Sequence, residues 1–291
     1  MFIYLVLWDI FDGECKNYNV LSGHKSAVLQ VCWPTQNSIV SCSADKTVAT
    51  WDANKGIRTR KFQEHTAVVN SCSVAADMPH LIASGSDDCT VILWDSRMKE
   101  SVASIYNDYQ VCAVCLSKDG QAVYAAGIDN IIRRYDLRTG SRAGWDASAL
   151  HDLDTADLTL EGHTDTVTGL ALSPDGNSLL SNGMDSQLRV WDVRPFAAGG
   201  AGAGDSRVWG SPENVYSVNI LFECLSFRCC FYYYYYHYAV VVIVIIIINY
   251  YIVCVKCEHV LSGVHHGAEK VLLKCAWSPD QEYVTAGSAD R

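Results

Sequence analysis

Basic side chains are scarce in this 291-residue chain: 22 Lys and Arg stand against 32 Asp and Glu, a formal net charge of −10. Nonspecific nucleic-acid binding draws on clustered Lys and Arg, so the balance argues against it and toward basic or polar protein partners. The usual chemical constellations are also missing. The Gly-rich run from Gly199 to Gly204 is followed by no Lys-Ser/Thr pair, which a phosphate loop requires. No grouping of nucleophile, base and oxyanion donors stands out, and neither cofactor nor metal is expected. The opening Met1-Phe2-Ile3-Tyr4 lacks the positive region and cleavage site of a secretory leader. The 13 cysteines are therefore expected to be reduced thiols in an intracellular compartment.

What is present is a repeat. Residues 162 to 194 open on Gly162-His163 and close on Trp191-Asp192. Between them lie three short apolar runs: Val167, Leu170 and Leu172; Leu179 and Leu180; Leu188 and Val190. Ser173-Pro174-Asp175-Gly176 reads as a turn, since Pro presets φ and Gly accepts positive φ. His24 leads in the same way to Trp51-Asp52, and His65 to Trp94-Asp95. A further unit lacks its Gly-His and ends on Tyr135-Asp136. Two fragments flank the whole units: Leu7-Trp8-Asp9 at the front, and a stretch from about His266 to Asp290 at the end.

An Asp precedes each closing aromatic by six positions: Asp45, Asp88, Asp129 and Asp185. Four positions earlier come Ser41, Ser84 and Ser181, but Ala125 in the unit without Gly-His. This pattern predicts a buried relay in which Asp holds His, Ser bridges, and the Trp indole N–H supplies the last donor. A buried polar set must be satisfied as a whole, so its members occur together. Three sets are complete: His24/Ser41/Asp45/Trp51, His65/Ser84/Asp88/Trp94 and His163/Ser181/Asp185/Trp191. Repetition argues for a structural role, because an active site is not copied along a chain.

The expected organisation is WD repeats over 1–196, a Gly/Ala-rich linker over 197–214, an apolar insert over 215–262 and a truncated final repeat over 263–291. Between Asp136 and Gly162 lie 25 residues where the corresponding gaps hold 11. The excess carries Asp146, Asp152, Asp154 and Asp157, read as an acidic surface loop at about 143–158, with a cation site as the sharper alternative. The insert has no Asp, Glu, Lys or Arg between Arg228 and Lys256. Three readings compete for it: a membrane span over 231–255, a buried strand pair, and a low-complexity run of residues encoded by T-rich codons, as in a translated intron. The last is preferred, and a membrane location is not expected.

Cysteine pairs have bland readings too. Cys112 and Cys115 point to opposite faces of a core strand. Cys254 and Cys257, followed by His259, His265 and His266, are spaced too compactly for a zinc finger. Cys32, Cys72 and Cys115 fall at nearly the same place in successive first strands, as small packing residues do.

These repeats resemble the WD40 family, which implies an all-β, seven-bladed propeller; four whole repeats and two fragments make an incomplete one. Arg189 to Phe196 and Ala286 to Arg291 narrow the likeness: they resemble the WD-repeat subunits of the spliceosomal U5 particle. That implies a non-catalytic scaffold in pre-mRNA splicing, in the nucleus, bound to the particle's large central protein and touching RNA only indirectly. Arg97, Arg138 and Arg194 end aromatic-Asp-x-Arg motifs. One reading has them covering a blade edge. The other follows from similarity to substrate receptors of cullin-type ubiquitin ligases, and makes them partner-binding residues.

Overall fold

The computed structural model describes residues 4–9, 16–138, 156–193, 214–217, 240–243, 251–256, 274–277 and 283–288. Every regular element among them is a strand. The first sheet joins β1 (Tyr4–Asp9) to β2 (Lys16–Ser22). Four sheets then follow in strict order, each antiparallel and four-stranded. The second holds β3 (Val28–Thr35), β4 (Ser38–Ser43), β5 (Val48–Asp52) and β6 (Ile57–Phe62). The third holds β7 (Val69–Val74), β8 (Leu81–Ser86), β9 (Thr90–Asp95) and β10 (Ser101–Tyr106). The fourth holds β11 (Val111–Leu116), β12 (Ala122–Gly127), β13 (Ile132–Asp136) and β14 (Leu158–Leu160). The fifth holds β15 (Val167–Leu172), β16 (Ser178–Gly183), β17 (Gln187–Asp192) and β18 (Asn214–Ser217). Six sheets among the described residues make an incomplete propeller.

Sequence units and sheets are offset by one strand. The segment before His65 supplies β6 to the second sheet, while the rest of that unit builds the third. Each unit thus ties two neighbours together covalently. The core lies between the sheets. Val40, Val48 and Phe62 of the second pack with Val69, Ile82 and Trp94 of the third. Leu81, Val91 and Leu93 of the third pack with Val111, Val114 and Val123 of the fourth. Strands β8 and β12 are buried along their whole length, because both faces meet a neighbouring sheet, whereas the outer strand β6 is largely exposed. Burial on both faces removes the polar alternation expected of a half-exposed strand.

The turn after each middle strand has one construction. Lys46, Cys89, Asn130 and Ser186, each following the turn Asp, adopt φ of 69°, 65°, 66° and 61°. That left-handed conformation costs an ordinary L-residue roughly 1–2 kcal/mol. In three of the turns the Asp Oδ1 accepts the N–H two residues on, from Thr47 (3.1 Å), Thr90 (3.0 Å) and Gln187 (3.0 Å). Such Asx turns hold the left-handed residue in place. The Ser173–Gly176 turn closes by a Gly176 N–H bond to Ser173 O of 2.9 Å, with Gly176 at φ 79°.

The described residues of the insert form strands, and among the described residues no helix is long and apolar enough to cross a membrane. β19 (Val240–Ile243) pairs with β1 on the side away from β2. β20 (Tyr251–Lys256) pairs with β22 (Tyr283–Ser288), whose other neighbour is β21 (Cys275–Trp277). The two insert strands therefore join different sheets and do not pair with each other. β18 runs across the linker–insert boundary drawn at 214, and β14 begins at Leu158, inside the acidic loop drawn to that residue. Asp146, Asp152, Asp154 and residues 197–213 lie outside the described residues.

Candidate functional site

The His before each inner strand meets the Asp of the next turn and the Ser of the middle strand. His24 Nδ1 lies 3.0 Å from Asp45 Oδ2, its Nε2 lies 2.7 Å from Ser41 Oγ, and the Trp51 indole N–H donates to that Oγ at 2.8 Å. In the third sheet the distances are 2.9 Å from His65 to Asp88, 2.7 Å to Ser84, and 2.8 Å from Trp94 to Ser84. In the fifth they are 2.8 Å from His163 to Asp185, 2.7 Å to Ser181, and 2.8 Å from Trp191 to Ser181. One proton assignment satisfies every member: Trp donates to Ser, Ser to Nε2, and Nδ1–H to the carboxylate. A Cβ at Gly162 would sit 2.5 Å from the Arg189 guanidinium, which would have to swing aside; Glu64 stands at that place before His65.

Thr47 and Thr90, not singled out in the sequence, complete two of these sets. Each hydroxyl donates to the Asp Oδ1 at 2.5 Å. An Asp-x-Thr spacing shared by the first two units was the available signal; Gln187 stands there in the third set. The Asp carboxylates also accept backbone N–H groups of Lys25, Thr66 and Thr164.

Burial pushes His24 and His65 below their ordinary value, outweighing the pull of Asp45 and Asp88. Burial pushes Asp45, Asp88 and Asp185 up, yet their donors together hold all three carboxyls below the usual range.

The Asp–His–Ser connectivity copies that of a hydrolytic triad, but its surroundings do not suit one. Ser41, Ser84 and Ser181 are fully buried, and each Oγ already accepts an indole N–H. A nucleophile needs a free lone pair and a path for substrate. These fully buried hydroxyls have no such path and one lone pair is already held by the indole, so the arrangement suits bracing a sheet.

The fourth sheet solves the same problem differently. Asn107 stands where His stands elsewhere, and Ala125 replaces the bridging Ser. The Tyr135 hydroxyl donates directly to Asn107 Oδ1 at 2.6 Å. Asp129 is turned to Arg133 instead. A small cleft, about the size of one water, remains beside this site, lined by Asn107, Gln110, Asp129 and Arg133 among others. With no His to mark this unit, the signal in the sequence is a hydroxyl-bearing aromatic, Tyr135, paired with a small residue, Ala125, in the Ser place.

Arg97 and Arg138 fold back on their own motifs. Arg97 Nε and Nη2 donate to Asp95 at 2.9 and 2.5 Å, and Arg138 does so to Asp136 at 3.0 and 2.5 Å. The backbone N–H of each Arg adds a 2.8 Å bond to the same carboxylate. The two side chains remain 68% and 61% exposed. Arg194 lies outside the described residues. Among the described residues no group of three or more His, Cys, Asp and Glu is placed to hold a metal ion. Cys112 and Cys115 are buried, and burial pushes both thiols up to about 11. Cys257, His259, His265 and His266 lie outside the described residues.

A family model described as WD domain, G-beta repeat matches residues 15–52, 56–95, 156–192 and 255–291, more than half of the chain. It passes over the fourth sheet's β11–β13, where His and Ser are replaced. The last match begins at 255, eight residues before the final repeat as drawn from sequence, and overlaps only the last two residues of β20. The U5 small nuclear ribonucleoprotein 40 kDa protein of Homo sapiens is 36% identical over 288 residues, 99% of this chain and 61% of the relative. The Dictyostelium discoideum protein of the same name is 42% identical over 135 residues, 46% of this chain and 38% of the relative. Pre-mRNA-splicing factor cwf17 of Schizosaccharomyces pombe is 39% identical over 195 residues, 67% of this chain and 53% of the relative. The chain thus spans between 38% and 61% of the length of these curated relatives.

Proposed function

The chain belongs to the WD40 repeat family, and on that premise we propose that it is a non-catalytic docking scaffold of the splicing machinery, a component of the U5 small nuclear ribonucleoprotein in the nucleus. The observation that carries this reading is the 36% identity to the human U5 protein, sustained over 99% of the chain. The geometry supports it. The repeated polar sets are enclosed between sheets and leave binding to the strand ends and loops of the rims. The large central protein of the U5 particle is the proposed partner. A net charge of −10 suits protein contacts, with RNA met through neighbouring subunits.

Pull-down of the tagged chain from nuclear extract tests this directly. Recovery of the U5 central protein is expected. Recovery of a ubiquitin-ligase adaptor without splicing proteins would reject it in favour of a second reading, a substrate receptor of a cullin-type ligase. That alternative rests on Arg97 and Arg138, exposed at equivalent positions of adjacent sheets, with Arg194 continuing the motif. Substituting Arg97 and Arg138 by Ala leaves recovery of the U5 protein unchanged under the first reading and abolishes adaptor capture under the second.

A further inference from the structure

Two thiols face each other across the boundary between the second and third sheets. Cys32 on β3 and Cys72 on β7 are 40 positions apart in sequence, and their Sγ atoms are 4.0 Å apart. The backbones around them are tied together. Gln30 Oε1 accepts the Ser71 hydroxyl at 2.8 Å and the Cys72 N–H at 3.3 Å. The Cys32 S–H points at the Cys72 carbonyl, 3.2 Å away. Cys72 is fully buried, whereas Cys32 is part-exposed. A cation stands close by: Lys274 Nζ is held by the carbonyls of Cys112 (3.0 Å) and Thr168 (3.2 Å).

We infer that Cys32 is a peroxide-reactive thiol and that Cys72 is its resolving partner, the two closing to a disulfide that staples neighbouring sheets. Three features converge on this assignment: Cys32 is a part-exposed residue and Cys72 a buried one, the two sulfurs are in van der Waals range, and the Lys274 ammonium acts on Cys32. The hydrogen bond from the Cys72 thiol, with Lys274 assisting, holds Cys32 below the ordinary thiol value against burial. The same contact pushes Cys72 well up. An attacking thiolate at the part-exposed residue and a protonated partner at the buried one is the order that the chemistry needs.

The oxidant is hydrogen peroxide. The Cys32 thiolate attacks one oxygen, the O–O bond breaks, and the leaving hydroxide takes a proton to become water. Cys32 is then a sulfenic acid. The Cys72 sulfur, giving up its proton, attacks the Cys32 sulfur; the S–S bond forms, the S–O bond breaks, and a second water leaves. Two thiols lose two electrons and two protons, and one peroxide becomes two waters. A disulfide requires sulfurs about 2.05 Å apart, so the pair closes by roughly 2 Å.

The test uses the full chain in its native state. After hydrogen peroxide treatment, free thiols are alkylated and the unreduced digest is analysed by mass spectrometry. The expected result is loss of both thiols to alkylation and a linked Cys32–Cys72 peptide pair that dithiothreitol separates, while the part-exposed Cys89 remains alkylated. In Cys72→Ser, Cys32 is expected to stop at the sulfenic acid and to be trapped by dimedone. Full alkylation of both thiols after peroxide, or linkage of Cys32 to another cysteine, would overturn the assignment. So would an equal yield of the same linkage from urea-unfolded chain, which would show that the fold does not select the pair.

Discussion

The third and fourth sheets lie side by side and seat the same kind of anchor by different means. Trp94 and Tyr135 are both buried, 0% and 2% exposed. Around Trp94 four side chains form one continuous chain, from indole to Ser84 to His65 to Asp88. Around Tyr135 the hydroxyl donates directly to Asn107, with no Ser between them. Ala125 removes the bridge, and the phenol itself reaches the residue that the bridge would have served. What the architecture requires is therefore a saturated donor at the buried aromatic, because an unpaired one loses its hydration without compensation. The longer relay adds coupling: its Asp also fixes the turn that follows.

Asp88→Ala should separate the two sheets most clearly. It removes the acceptor shared by His65 Nδ1, the Thr66 and Thr90 N–H groups and the Thr90 hydroxyl, leaving only the 3.2 Å contact between that hydroxyl and His65 Nδ1, for a loss of about 3 kcal/mol in urea unfolding. Asp129→Ala, with Arg133 as the only partner described for its carboxylate, should cost about 1 kcal/mol. Equal losses would show that the relay adds nothing beyond a buried carboxylate. Ser84→Ala comes next, at about 2 kcal/mol, since it strands both His65 Nε2 and the Trp94 indole N–H. Tyr135→Phe should be smaller, about 1 kcal/mol, with Asn107 left beside its cleft to recruit water. A Tyr135→Phe loss matching that of Ser84→Ala would mean that the short arrangement is as strongly coupled as the long one.

Much of this was written plainly in the sequence. Asp six positions before the aromatic and Ser four before that recur because each sheet repeats one geometry; the spacing at His24, His65 and His163 places all twelve relay residues. The turn of Ser173–Gly176 follows from Pro and Gly chemistry alone. The Asn107–Tyr135 bond was less plain because neither His nor Ser marks that unit, and its signal was only a Tyr with Ala125 where the other units pair Trp with Ser. The insert was ambiguous for a different reason. A run of Val, Ile and Tyr suits a strand, a span or an unselected stretch equally, and its composition does not foretell that β19 pairs with β1 and β20 with β22. Cys32 and Cys72 were read as packing residues from their matching positions, and spacing along the chain says nothing of the 4.0 Å between their sulfurs.

Acid provides the finest comparison, because the relay sheets carry titratable His where the fourth sheet carries Asn. An unfolded imidazole gains its proton near 6.5. Burial holds folded His24 and His65 below that value, so they stay neutral to lower pH. Between the folded and unfolded values the unfolded chain binds more protons, and stability rises with pH across that window. It falls as pH drops through 6.5 and stops falling once the folded histidines also protonate. The carboxylates of Asp45 and Asp88 act lower down: held below the usual range when folded, they stabilise above about 3.9 and lose that contribution as pH falls through their folded values. His65→Asn gives the third sheet the residue found in the fourth. The parent's urea midpoint should fall between pH 7.5 and 5.5, and the variant's should fall less, whatever its stability at pH 7.5. An equally steep fall in His65→Asn would assign the dependence elsewhere and leave the two kinds of sheet indistinguishable to protons.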